Sequence, residues 1–307
     1  MVSKSNPLNI NPIFSSSLKG KVVVITGAGS GLGKALALGC GFAGASVGVL
    51  DLDELAAKEV VSVLKKNGSK AEAMVASVTD EVALEKVYED LIKSFGRIDC
   101  LINCAGVANL GRIYELDAKK IKLSNEVNIT GYFLNANIAS KKMVEFVSSK
   151  KIEEGNIINI SSASARGVSQ DSSLYGVAKE AQCMMTHSWA MDLGKHNIRV
   201  NTILAGDLFG NEKEGIHSAI WNQSYFEKKA IDKGLVKKND PRLGGKTLHP
   251  EIRALVVGHY VGRTALGKEI TYTDACELVL FLLSSSASKI TGESIALTSG
   301  NPLVFSR

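Results

Sequence analysis

Eight residues near the start of the chain, Thr26-Gly27-Ala28-Gly29-Ser30-Gly31-Leu32-Gly33, restrict its fold more than any other feature. Half of them are glycine, and they join a β-branched run over 21–26 to an amphipathic stretch over 32–42. Glycine lets the backbone turn tightly at a strand–helix junction and lets a bound group lie against the main chain. A phosphate placed there meets the unpaired N–H groups and positive dipole end of the following helix. Such a turn alone can also simply close a strand into a helix, so the flanking pattern carries the weight.

That pattern repeats along the chain. Strands are predicted over 46–50, 71–75, 98–102, 156–160, 199–203 and 294–297, and helices over 53–67, 81–95, 119–148, 174–193 and 273–283. The strand segments are apolar throughout, as a sheet covered on both faces requires. Strands alternating with helices at this spacing predict an α/β fold, a Rossmann-type doubly wound parallel sheet in a single domain over 18–307. Residues 1–17 are polar and are predicted to form an N-terminal extension without the apolar core of a signal peptide. Between 210 and 262 the rhythm breaks: charge is dense and no strand is evident, which predicts a lid over about 207–265.

The second strand ends on Asp51, 18 residues beyond Gly33, where a carboxylate can accept hydrogen bonds from an adenosine ribose. Its charge repels a 2′-phosphate, and neither Ser30 nor Leu52 offers a compensating cation. The physical expectation is NAD rather than NADP.

The other informative group is Tyr175-Gly-Val-Ala-Lys179, whose helical spacing puts phenol and ammonium on one face. An ammonium near a phenol is expected to lower its pKa from about 10 and make it an acid/base group near neutral pH. Upstream, a buried strand ends in Ser161-Ser162 at the sheet's carboxyl edge, where doubly wound sheets bind ligands. Either serine can hydrogen-bond a substrate oxygen or merely cap the strand end.

With these residues the chain resembles the short-chain dehydrogenases/reductases from about residue 18 to 300. The matching landmarks are the glycine turn, Asp51, Asn103-Cys104-Ala105-Gly106, Asn128, Ser162, the Tyr175/Lys179 pair, the run over 198–206 and the terminal ITGESIALTSG. The resemblance implies that Tyr175 is the acid/base and that Ser162 binds the reacting oxygen. It implies that Lys179 holds the nicotinamide ribose and that Asn128 anchors a water in a proton relay. It also implies NAD contacts by Gly27, Ser30, Gly31, Leu32 and Gly33 around the phosphates and by Asp51, Leu52 and Val78 at the adenosine. Asn103, Ala105, Gly106, Gly206 and Leu208 would follow along the nicotinamide half. The chain departs from the family at Ser77, where an Asp is usual and helps hold adenine, at Cys104 in place of a second Asn, and at Ala205 in place of a proline. A homo-oligomer, tetramer or dimer, built on the long helices and last strand is likewise implied by the resemblance.

For the substrate, the segment 205–210, Trp221, and His259-Tyr260-Val261-Gly262-Arg263 resemble the carbohydrate-handling branch of the family. That branch includes sorbitol-6-phosphate dehydrogenases and dehydrogenase domains fused to rhamnulose-phosphate aldolases. The resemblance implies a polyol, sugar or sugar phosphate. Polar Ser164, Gln170, Asn211 and Gln223 fit a hydroxylated molecule, Trp221 is a lid anchor or a sugar platform, and Lys213, Lys228, Arg253 or Arg263 can meet a phosphate. A lipid-type carbonyl reductase, such as one acting on 3-oxoacyl thioesters, is the alternative that Asp51 disfavours. A non-catalytic dinucleotide-binding sensor is disfavoured by the retained Tyr175 and Lys179.

Composition narrows the setting. The net charge is +5, but Lys and Arg are interspersed with Asp and Glu, so a nucleic-acid partner is not expected. No apolar run reaches membrane-spanning length, and no membrane partner is expected. Five cysteines (Cys40, Cys100, Cys104, Cys183 and Cys276) form no CxxC pair and the five His are scattered, which argues for reduced thiols in the cytoplasm and against a metal site.

Overall fold

Strand β1, Val22–Thr26, is buried along its whole length. Its side chains alternate: Val23 and Ile25 enter one apolar core while Val22 and Val24 enter another. A strand with two apolar faces needs helices on both sides. The computed structural model, which describes residues 8–167, 171–209, 216 and 223–304, supplies them. In chain order come α1 (Gly31–Phe42), β2 (Ser46–Asp51), α2 (Glu54–Lys66), β3 (Ala71–Val75), α3 (Glu81–Phe95) and β4 (Cys100–Asn103). Then follow α4 (Ala118–Asn125), α5 (Gly131–Ser148), β5 (Gly155–Ser162), α6 (Ser173–Leu193) and β6 (Ile198–Ala205). The chain ends with α7 (Gln223–Asp232), α8 (Pro250–Val261), α9 (Tyr272–Leu283) and β7 (Ser294–Leu297).

All seven strands are parallel in one sheet of order β3-β2-β1-β4-β5-β6-β7. The expected doubly wound fold is therefore present. One core packs α1, α2 and α9 on the first face; the other packs α3 and α5 on the second. The winding reverses between β1 and β4, and at such a switch point the loops leaving two neighbouring strands diverge and open a crevice. The register lays Ile25 beside Ile102, Asn103 beside Asn159, and Ser162 beside Ala205, so the carboxyl ends of β1, β4, β5 and β6 share one edge.

Three features differ in detail from the periodicity. The stretch expected as one helix over 119–148 is broken by a π turn, Glu126–Thr130, between α4 and α5. Close packing accompanies the break: a Cβ at Gly131 would lie 2.9 Å from a Val78 methyl, and Asn128 turns inward. Within 207–265, α7 and α8 enclose a small core of Phe209, Phe226, Ala230, Ile252, Val256 and Val257. At the N-terminal end, Leu8 and Ile10 are buried in the main core. Thr273 donates to the Leu8 carbonyl and the Asn11 N–H to Glu277, so residues 8–17 are fastened to α9.

Candidate active site

The glycine turn is shaped by close approach. Gly27 has φ +66°, and a Cβ there would sit 2.8 Å from the Ala105 Cα; a Cβ at Gly33 would sit 2.0 Å from the Gly27 carbonyl oxygen. Any side chain at Gly33 forces the turn open. Thr26 Oγ1 accepts from the Cys104 and Ala105 N–H groups at 2.9 and 3.0 Å, tying the end of β1 to the turn after β4. Gly31 opens α1, its N-cap Ser30 makes no side-chain cap bond, and Leu32 packs against the main core.

Asp51 closes this end. Its Oδ2 accepts the Gly29 N–H at 2.8 Å and its Oδ1 the Asp53 N–H at 2.9 Å, so the carboxylate is oriented over the glycine turn. Leu52 beside it is 72% exposed. Val78 is buried against Gly131, and Ser77 bonds to its own loop through Thr79 at 2.8 Å. Asn103 is buried and donates to Asn159 Oδ1 at 3.0 Å, as a residue fastening adjacent strands does.

The second group gathers where β5 ends and α6 begins. Ser161 is buried and donates to the Lys179 carbonyl at 2.6 Å, so it serves α6. Ser162 accepts the Ser164 N–H at 3.1 Å and is hydrogen-bonded to the Tyr175 hydroxyl. The register of β5 thus separates the two serines that sequence left open. Lys179 is 4% exposed; its ammonium lies 5.5 Å from the Tyr175 ring centroid and donates to the Ile160 carbonyl at 2.8 Å and to Gln182 Oε1 at 3.2 Å.

The lowered phenol pKa expected from this pairing is not found in the chain by itself. Burial pushes the Tyr175 hydroxyl up to about 12, against the opposing Ser162 bond. Burial also pulls Lys179 down to about 8, so the lysine is neutral before the phenol titrates. Desolvation outweighs the pair's attraction here.

Asn128, fully buried in the π turn, holds Val107 at both ends: Oδ1 accepts its N–H at 3.0 Å and Nδ2 donates to its carbonyl at 2.9 Å. Its own carbonyl accepts from Gln182 Nε2 at 2.9 Å. Gly106 fits between, with a Cβ there 3.1 Å from Asn128 Oδ1 and 3.8 Å from Lys179 Nζ. At the end of β6, Gly206 donates to the Leu297 carbonyl at 2.8 Å and Leu208 is buried.

Gln170, Trp221, Asn211 and Lys213 lie outside the described residues. Gln223, at the start of α7, donates to Glu227 at 2.8 Å and to the Gly245 carbonyl at 2.9 Å, and Arg253 pairs with Glu269 at 3.1 Å. Sequence reasoning missed two functional candidates. Gln182 lies on the Tyr175/Lys179 face of α6, a polar residue in a buried stripe, and its spacing was the available signal. Asp207, directly after Gly206, lines a water-sized cavity of about 10 Å³ with Phe209, Tyr260 and Thr298 among its walls. Burial lifts it to about 6, with Lys229 and Arg263 opposing, and its charge is felt by Tyr175, Tyr225 and Tyr260.

Among the described residues no group of three or more His, Cys, Asp or Glu is set to hold a metal, and no helix is long and apolar enough to cross a membrane.

The family pattern of short chain dehydrogenases matches residues 21–211. An uncharacterised oxidoreductase of Thermotoga maritima is 30% identical over 94% of this chain and 100% of its own length. The sorbitol-6-phosphate 2-dehydrogenase of Escherichia coli is 28% identical over 91% of this chain and 98% of its own. The solved structure of the sorbitol-6-phosphate 2-dehydrogenase of Erwinia amylovora is 31% identical, superposes with a TM-score of 0.77, and covers 91% of this chain and 98% of that one.

Proposed function

The chain belongs to the short-chain dehydrogenase family of oxidoreductases, and on that premise we propose that it is an NAD-dependent dehydrogenase interconverting a secondary alcohol and a carbonyl on a polyol, sugar or sugar phosphate. The observation that carries the reading is the Tyr175–Ser162 hydroxyl pair at the sheet's carboxyl edge, with the Lys179 ammonium behind it. The residues fit a dinucleotide: Gly33 admits no Cβ, the N-cap Ser30 side chain does not occupy the first turn of α1, and Asp51 is oriented over the turn.

Gly27, Ser30, Gly31, Leu32 and Gly33 would hold the phosphates, and Asp51, Leu52 and Val78 the adenosine. Asn103, Ala105, Gly106, Lys179, Gly206 and Leu208 would hold the nicotinamide half. When bound, the oxidised nicotinamide supplies a hydride acceptor and a positive charge. Ser162, whose oxygen accepts the Ser164 N–H, would donate its hydroxyl to the reacting oxygen. Tyr175 is protonated at neutral pH, ready to give its proton to a carbonyl. To take a proton from an alcohol it needs added positive charge nearby, from Lys179 and from the bound cofactor. Asn128 holds the Val107 loop beside Lys179.

The substrate class is supported by the likeness to the two sorbitol-6-phosphate 2-dehydrogenases. Ser164, Gln170, Trp221 and the lid over about 207–265 would complete the mouth. The test is a panel of free polyols, sugar alcohol phosphates, small diols and 3-hydroxyacyl thioesters with NAD, followed by NADH absorbance. Turnover on polyols or their phosphates supports the reading; turnover on thioesters alone transfers the site to the lipid-type carbonyl reductases.

The reading includes a homo-oligomer. Val177 and Met184 on α6 are 68% and 64% exposed, and Phe133 of α5, half exposed, stacks edge-on with Trp189. Apolar side chains concentrated on these helices suit burial against another copy. Light scattering after size exclusion is expected to give a dimer or tetramer of the 32.7 kDa chain; a monomer refutes it. The reading also includes a cytoplasmic setting, supported by five free cysteines.

A further inference from the structure

One turn beyond Lys179 on α6 lies Gln182, fully buried, with both ends of its amide occupied. Oε1 accepts from the Lys179 ammonium at 3.2 Å and Nε2 donates to the main-chain carbonyl of Asn128 at 2.9 Å. The residues it joins come from different elements, one on α6 and one in the π turn Glu126–Thr130. An amide satisfies both, whereas an apolar side chain leaves the ammonium with the Ile160 carbonyl alone and the buried Asn128 carbonyl without this donor, and a carboxylate has no hydrogen for the carbonyl.

We propose that Gln182 is a positioning residue of the active site, an amide strap that aims the Lys179 ammonium by tying it to the Asn128 carbonyl. This rests on the reading of Lys179 given above. An ammonium has three N–H donors. With Ile160 and Gln182 taking one each, tetrahedral geometry fixes the direction of the third. Without the strap, the ammonium has one acceptor and can swing about it.

The strap also bears on charge. The titratable groups facing Nζ are Tyr175 and Cys183 on α6, Tyr132 on α5 and Cys104 after β4. Burial pushes all four upward, Tyr175 and Cys104 to about 12, so they are neutral at pH 7 and offer no counter-charge. The ammonium is therefore stabilised by the two carbonyl oxygens, of which Gln182 supplies one.

The test follows Lys179 directly. In protein labelled with ¹³C-lysine, the Lys179 signal is assigned by its loss in Lys179→Met, and its titration, lowered by burial, is then followed in Gln182→Met and Gln182→Glu. Losing a hydrogen bond to a charged group is expected to lower the Lys179 pKa in Gln182→Met by about one to two, a tenfold to hundredfold change in the protonation equilibrium. Gln182→Glu, which keeps an acceptor and adds a negative charge, is expected to raise it. A merely space-filling glutamine leaves the titration of Lys179 where it is in Gln182→Met, and that result overturns the proposal. If Gln182→Met does not fold, Gln182→Asn, whose shorter amide cannot reach both the Lys179 ammonium and the Asn128 carbonyl, carries the same test with the same expected direction. The titration needs no substrate, so a wild-type chain inert toward every alcohol sinks the proposed activity and leaves this measurement to decide on Gln182.

Discussion

Replacing Tyr175 with phenylalanine is expected to lower turnover by roughly 10²–10⁴-fold, the range a positioned acid/base group contributes, while NADH affinity stays within a few-fold. The substitution removes one oxygen and leaves the ring where it packs. The Ser162 hydroxyl loses a partner but keeps the Ser164 N–H, so the oxygen-binding side of the site persists. The pH dependence should follow the same group. Alcohol oxidation needs the phenolate, and the phenol in the chain alone sits at about 12. Oxidation should therefore rise from neutral to alkaline pH, with a midpoint below that value once positive charge lies beside the ring. Carbonyl reduction uses the protonated form and should fall over the same interval. Steady-state NADH absorbance across pH, with NADH fluorescence for binding, separates the two effects. Turnover left intact in Tyr175→Phe would remove the phenol from the chemistry.

Much of this was legible in the chain because the physics behind it is local. Val22–Thr26 reads as a buried strand because every residue is apolar or β-branched, and Gly33 reads as a contact point because nothing larger fits. The helical spacing of Tyr175 and Lys179 suffices to put them on one face. What was not legible depends on tertiary partners. Ser161 and Ser162 are chemically identical, and only the pleat of β5 sends one to α6 and the other to the crevice. The π turn arises where Gly131 meets Val78 and Asn128 meets Val107, contacts between segments distant in sequence. Helices α7 and α8 were not legible because the Phe209 and Phe226 core between them is assembled across long separations. The pKa expectation for Tyr175 erred for a related reason: proximity to lysine is visible in a sequence, whereas the depth of burial of both groups is not.

Asp51→Asn is expected to narrow a preference for NAD over NADP by a factor between roughly 30 and 1,000. Two unit charges about 4 Å apart interact by about 4 kcal/mol at an effective dielectric of 20, and each 1.4 kcal/mol is tenfold. Asp51 is only half-buried, so solvent screens part of that repulsion and sets the lower bound. Asparagine is the informative replacement because its side-chain oxygen can still accept the Gly29 N–H, which holds the residue over the turn. The variant therefore removes the charge and keeps the anchor, although its amide hydrogens now face the Asp53 N–H that Oδ1 accepted. Some loss of NAD affinity should follow from that mismatch, and it is read separately from the ratio. The observable is kcat/KM for each cofactor with one common alcohol, in wild type and variant. With Leu52 exposed and uncharged beside it, no cation takes over the 2′-phosphate in the variant, so NADP should gain by relief of repulsion and not by a new contact. A ratio unmoved by Asp51→Asn would mean that discrimination resides elsewhere along the cleft, and a wild-type chain that prefers NADP would overturn the assignment of NAD itself.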